Sequence, residues 1–248
     1  MTKNKNKFLQ ITNNPERIFV CGDLHGTLAE TAILLEHLKE KEKLSKKDLL
    51  IFVGDYIDRG YDSKKTVQAL LDFKKDYPDT IFLKGNHEDM LLDFLGFKGN
   101  HGVTFIDNGG LQTLISYGLK EKSTAESFME KFPENHLSFF QNLETAVLID
   151  EYLIVHAGLN PLRDIESQTS EDLFWIRNDF IMNTHTFEKT IIFGHTPFKD
   201  IFYHLPYKIG IDTGLVYGNT LTCIELKEKR ILQIKVGKKR VKISSFNK

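Results

Sequence analysis

The sequence predicts an α/β fold, with a parallel-rich sheet covered by helices followed by a more antiparallel sheet. Three observations carry the prediction. The first third of the chain alternates short apolar, β-rich runs with longer stretches of helical spacing. Strand-like runs dominate from residue 145 onward. With 248 residues, 41% of them hydrophobic, the chain can bury a sizeable core, and no break in composition divides it.

Residues 17–21 form the first apolar run. Residues 28–43 follow with helical spacing, with Leu28, Ile33, Leu34 and Leu38 set among charges. Residues 48–53 read as a second buried strand, and residues 62–75 as a helix with Val67, Leu70, Leu71 and Phe73 on its apolar face. A strand over 80–84 and a helix over 88–97 complete a βαβαβα pattern, whose parallel strands need helical crossovers. Residues 109–143 are helical and more polar; Asn108-Gly109-Gly110 opens the segment and Pro133 divides it. The stretch over about 97–143 is expected to be an insert or cap on a single domain spanning 1–248, and to contribute to specificity. Runs at 145–149 and 152–156 flank Asp150-Glu151 as a hairpin. A helix is expected over 171–180, strands over 190–194, 207–211, 221–226 and 231–236, and a basic tail over 237–248.

Charged residues make up 27% of the chain, yet the net charge is only −1, which argues against a nucleic-acid partner. Lys3, Lys5 and Lys7 at the start, and Lys238, Lys239, Arg240 and Lys242 near the end, read as solvated tails, with contact to an acidic partner as the alternative. Cys21 and Cys223 lie in apolar runs far apart in sequence; they read as reduced packing residues in a cytoplasmic protein. No segment is apolar enough to span a membrane or serve as a signal peptide.

The chemistry gathers at strand ends. Gly22-Asp23-Leu24-His25-Gly26 follows the first strand; residues two apart on extended backbone face the same side, so Asp23 and His25 can hold one cation together. Gly54-Asp55-Tyr56-Ile57-Asp58-Arg59-Gly60 follows the second strand, where the two oxygens of Asp55 can bridge two metals. Gly85-Asn86-His87-Glu88 follows the third; Asn86 offers an amide oxygen, and His87 is left free to act as an acid. His156 and His195 end two later strands, and imidazole is the commonest side-chain ligand of transition metals. Five strand ends delivering such ligands argue for a dinuclear site. His37 falls in a helix, and His101, His136, His185 and His204 read as surface or loop residues. Glu88 reads as a helix-capping acid, with support of the site as the alternative.

At these residues the sequence resembles the PPP family of metallophosphatases, whose signature is GDxHG, GDxVDRG and GNHE with later HAG and GHT histidines; Ile57 takes the Val position. The likeness runs over about 17–226 and is nearest the compact bacterial and phage branch. Asn108-Gly109-Gly110 with Ser116-Tyr117-Gly118, Phe174-Trp175-Ile176-Arg177, and Ile211-Asp212-Thr213-Gly214 support that branch. The resemblance implies two mixed β-sheets packed face to face and flanked by helices. It implies that Asp23, His25, Asp55 and His195 hold one metal and Asp55, Asn86 and His156 the other, with manganese usual and iron or zinc as alternatives. His87 matches a general acid, Asp58 its orienting partner, and Arg59, Arg177 and Asn86 phosphate-gripping groups.

The expected reaction is hydrolysis of a phosphate monoester by direct attack of a metal-bridging hydroxide. Arginine suits phosphate because its planar fork binds two oxygens. Phosphoserine and phosphothreonine proteins, with phosphotyrosine or small phosphorylated molecules beside them, are the expected substrates. No nucleic acid, membrane or obligatory regulatory subunit is implied. The rival readings are symmetrical hydrolysis of diadenosine tetraphosphate, a broader phosphodiesterase, and an inactive metal-binding scaffold; the intact Asp58-Arg59-Gly60 and His87 favour the phosphatase.

Overall fold

The structure, a computed structural model, describes residues 8–246; Lys3, Lys5 and Lys7 lie outside them. The first half of the chain runs β1 (Leu9–Gln10), β2 (Ile18–Cys21), α1 (Leu28–Glu40), β3 (Leu49–Phe52), α2 (Ser63–Asp76), β4 (Ile81–Phe82) and α3 (Asn86–Phe94). Three helices follow, α4 (Leu111–Ser116), α5 (Ala125–Lys131) and α6 (Glu134–Gln141). The remainder is β5 (Ala146–Ile149), β6 (Tyr152–Val155), α7 (Ser170–Trp175), α8 (Asn178–Ile181), β7 (Thr190–Phe193), β8 (Phe202–His204), β9 (Lys208–Gly210), β10 (Thr220–Glu225), β11 (Arg230–Lys235) and β12 (Lys242–Ser245).

These strands make two six-stranded sheets, ordered β12-β11-β10-β2-β3-β4 and β1-β5-β6-β7-β9-β8. In the first, β2, β3 and β4 are parallel, while β10 runs antiparallel to β2 with Cys223 opposite Cys21. In the second, β5 and β6 form the expected antiparallel hairpin, and β6, β7 and β9 are parallel. The expectation of a parallel-rich sheet followed by an antiparallel one therefore needs correcting. The last three strands return to the first sheet, and both sheets are mixed. The reason lies in β10, which is apolar on both faces: Leu221 and Cys223 face the helices while Ile224 faces the other sheet. Such a strand is buried best inside a sheet covered on both sides.

Strand alternation builds four layers. Ile18, Val20, Leu49 and Ile51 point between the sheets and meet Val147, Ile154, Ile192 and Ile209 from the second sheet. Their neighbours Phe19, Leu50 and Phe52 point outward to Leu34 and Leu38 of α1 and Val67 and Leu70 of α2. On the other side, Leu153, Val155, Ile191 and Phe193 pack against Leu173 and Phe174 of α7 and Phe180 of α8.

Three local expectations change. The helix expected over 171–180 is two short helices, parted at Ile176 and Arg177. Part of the basic tail pairs as β12 against β11. His136 and His185 are buried, contrary to their surface reading. His136 sits on the inner face of α6 between the Tyr117 hydroxyl, 2.7 Å from Nδ1, and Gln68 Oε1, 3.0 Å from Nε2.

Candidate metal centre and active site

The parallel strands β2 and β3 end side by side, and their loops bring Asp23, His25, Asp55, Asp58 and Arg59 together. The end of β4 delivers Asn86, His87 and Glu88, with α3 starting at Asn86. From the second sheet, His156 directly follows β6 and His195 lies two residues beyond β7. The site thus lies where carboxyl ends of strands from both sheets converge. Among the described residues ten non-glycine positions have positive φ, and five of them, His25, Asp55, Asp58, Arg59 and His195, belong to this cluster, so backbone strain is concentrated here. Glycine is needed at close approaches. A Cβ at Gly85 would lie 2.1 Å from Asp55 Oδ1, and one at Gly194 would lie 2.0 Å from Asp23 Oδ1.

Asp55 is the hub. Its Oδ1 is 3.4 Å from His156 Nε2, and its Oδ2 is 3.4 Å from His25 Nε2 and 3.9 Å from His87 Nε2. His25, Asp55 and His87 form one group of potential ligand atoms, and Asp55, His156 and His195 another. Asn86 Oδ1 joins the second group, 3.0 Å from His156 Nε2 and 2.8 Å from His195 Nδ1. Asp23 accepts the His195 backbone N–H through Oδ2 at 2.9 Å, while its buried Oδ1 has no hydrogen-bond partner.

Each of three imidazoles faces a backbone carbonyl with one nitrogen and the cluster with the other. His25 Nδ1 is 2.9 Å from the Ile57 carbonyl, His156 Nδ1 is 2.9 Å from that of Val53, and His195 Nε2 is 3.3 Å from that of Trp175. A ring that donates to a carbonyl on one side presents a lone pair on the other, as metal-binding histidines do. Burial pushes the pKa of all three below the ordinary value, favouring the neutral form that ligates. Burial alone would raise Asp55, but the surrounding His156, His87, His25 and His195 hold it below the usual carboxylate range. Burial, then the charges of Asp212 and Asp55, raise Asp23 well above that range. Carboxylates crowded in this way have a ready use for a cation. The orphaned Asp23 oxygen and the converging nitrogen and oxygen donors fit divalent metals.

His87 differs from the other three. Its Nδ1 lies 2.6 Å from Asp58 Oδ2, and its Nε2 is buried without a hydrogen-bond partner. Arg59 donates through Nη1 to His25 Nε2 at 2.7 Å. Arg177, in the break between α7 and α8, lines a cavity of about 450 Å³ with Asn160, Trp175 and Asn178, and its charge acts on His156 and His195.

Sequence reasoning missed what Asp212 and Thr113 contribute, and held support of the site by Glu88 only as the alternative to helix capping. Glu88 does cap the start of α3, as expected of an acid there, by accepting the Gly85 backbone N–H. It also accepts the backbone N–H groups of Asp55 and Tyr56, at 2.9 and 2.8 Å, and so braces the hub. Burial, with Asp55 beside it, pushes its carboxyl up to about 8. Asp212 was visible only as part of a family string, yet its charge reaches Asp23, and burial pushes its own pKa up to about 6. Thr113 carried no signal at all and bonds to Asp58.

The family model for calcineurin-like phosphoesterases matches residues 16–227, a span that includes every cluster residue named above. The chain belongs to that family. This phosphoesterase is 28% identical, over 88% of its length and 92% of the relative's, to an asymmetrical bis(5′-nucleosyl)-tetraphosphatase PrpE from Oceanobacillus iheyensis. It is 30% identical to serine/threonine-protein phosphatase 2 of Salmonella typhimurium, over 85% of its own chain and 93% of the relative's. Among solved structures, one assigned as a diadenosine tetraphosphatase superposes with a TM-score of 0.69 at 22% identity, covering 93% of this chain and 98% of that one. The two mixed sheets with flanking helices are the fold of this family. No helix among the described residues is long and apolar enough to cross a membrane.

Proposed function

We propose that this phosphoesterase hydrolyses phosphate monoesters on proteins, at phosphoserine and phosphothreonine and also at phosphotyrosine. The observation that carries the reading is His87: fully buried, tied through Nδ1 to Asp58, and with a free Nε2 turned to the cluster. An imidazole so held can protonate a poor leaving group such as a serine alkoxide. Asp58 orients the ring. Arg59, Arg177 and Asn86 are proposed to grip the phosphoryl oxygens, the arginines with paired N–H groups.

Asp23, His25 and Asp55 are proposed for one cation and Asp55, Asn86 and His156 for the other; His195, expected from the sequence beside Asp23 and His25, is proposed for the second, because its imidazole stands with Asp55 and His156 and its Nδ1 lies 2.8 Å from Asn86 Oδ1. Two divalent ions held there would add positive charge at the phosphoryl oxygens and acidify the attacking water. Manganese is the proposed metal, with iron or zinc as alternatives. Two buried free cysteines suit a reducing, cytoplasmic setting.

A second reading, hydrolysis of a dinucleoside tetraphosphate, has its own support. The PrpE relative covers nearly the whole chain. In addition, Tyr217 is 62% exposed and its ring lies 5.7 Å from the Arg59 guanidinium carbon, where an aromatic face can stack on a base. The test is a panel of a phosphoserine peptide, p-nitrophenyl phosphate and diadenosine tetraphosphate, run with each metal. The proposal expects the highest kcat/KM on the peptide. Efficient turnover of the dinucleotide with none of the peptide would replace the first reading by the second.

A further inference from the structure

Asp58 is anchored on two sides. Its Oδ2 meets His87 Nδ1, and its Oδ1 accepts a hydrogen bond from Thr113 Oγ1 at 2.6 Å. The same hydroxyl accepts the Asp58 backbone N–H at 2.9 Å. Thr113 and Asp58 are both fully buried. A hydroxyl has one proton, and the short contact gives it to the carboxylate, so Ser63 Oγ, 3.0 Å away, is left to donate to Thr113.

Thr113 lies 55 residues beyond Asp58, on the inner face of α4. The segment before it holds the next loop residue. The Arg59 N–H donates to the Gly109 carbonyl at 3.1 Å, and a Cβ at Gly109 would lie 2.8 Å from Arg59 Cγ. A carboxylate bonded only to an imidazole can turn about its own axis and take the ring with it; a second bond to its other oxygen fixes the plane. Buried polar groups also hold their geometry best when every partner is satisfied.

We infer that Thr113 is a positioning residue: through Asp58 it fixes the imidazole of His87 against the leaving oxygen, which makes α4 part of the proton-delivery apparatus. The inference rests on the proposed acid role of His87. It has a readout that simple loss of stability does not share. p-Nitrophenolate departs without help from an acid, whereas a serine alkoxide needs a proton as it leaves.

The test compares wild type, Thr113→Val, Thr113→Ser and His87→Asn on a phosphoserine peptide and on p-nitrophenyl phosphate, with thermal melting of each. Thr113→Val is expected to lose about tenfold or more in kcat on the peptide beyond its loss on p-nitrophenyl phosphate, with KM little changed. Thr113→Ser, which keeps the hydroxyl, is expected to recover most of the difference. If Thr113→Val does not fold, Thr113→Ala removes the same hydroxyl and serves in its place. Equal losses on both substrates, beside a clear split in His87→Asn, overturn the inference and leave the acid role standing. Absence of a split in His87→Asn overturns the acid role, and the inference with it.

Discussion

His87 Nδ1 lies 2.6 Å from Asp58 Oδ2 in a pair that solvent does not reach. No other imidazole of the cluster is tied to a carboxylate through one nitrogen while the other has no hydrogen-bond partner. This separates an acid from ligands. His87→Asn is expected to lower kcat on a phosphoserine peptide by ~10²–10⁴-fold while keeping its bound metal. Asp58→Asn is expected to fall short of that loss, because the imidazole remains but loses the carboxylate that holds it. Steady-state rates and metal analysis of the two variants check this; a near-normal rate in His87→Asn contradicts the assignment.

Gly194 touches Asp23 so closely that a methyl group has nowhere to go. A Cβ there would sit 2.0 Å from Asp23 Oδ1 and 2.7 Å from Val53 Cγ2. Gly194→Ala is therefore expected to displace Asp23, weaken metal binding at that end of the cluster, and destabilise the fold by about 1–3 kcal/mol. Metal titration and thermal melting measure both effects. Unchanged affinity would mean that Asp23 contributes nothing to the metal.

His136 links folding stability to pH. Burial pushes its pKa down to about 4 from the ordinary 6.5. Its contacts suit a neutral ring, with Nδ1 accepting from Tyr117 and Nε2 donating to Gln68. The unfolded chain takes up the proton first as pH falls. Stability from this group is thus fully present above about 6.5 and is lost as pH drops toward about 4, by at most about 3 kcal/mol. Urea unfolding at pH 7 and pH 5 should show a larger fall for wild type than for His136→Gln. Parallel falls would show that His136 is not the titrating group.

The site was legible in the sequence where its chemistry is local. Asp23 with His25, Asp55 with Asp58 and Arg59, and Asn86 with His87 each sit in one short loop after one strand, so a motif reports them together. The convergence of His156 and His195 on Asn86 spans 70 and 109 residues of chain; their places at strand ends marked both as ligands, but the resemblance to a known family set only His156 beside Asn86 and left His195 with Asp23 and His25. Thr113 reaches Asp58 across 55 residues from a helix whose residues carry no chemical pattern, and nothing local marks it. The fold divides in the same way. The βαβαβα run follows from periodicity, whereas the return of β10 to the side of β2 depends on which faces need cover, a long-range question. His136 was misread because α6 looks polar in sequence while its inner face is closed by Tyr117 and Phe132.

Asp55 lies between His25 and His156 with one oxygen toward each, and the account depends on that carboxylate serving two cations. The most direct measurement counts metal per chain as manganese is returned to stripped wild-type and Asp55→Asn protein, with phosphopeptide hydrolysis followed alongside. The account predicts two manganese ions per wild-type chain, activity that appears with their binding, and loss of both affinity and activity in the variant. One ion per chain, or hydrolysis by the stripped protein at the same rate, would contradict it.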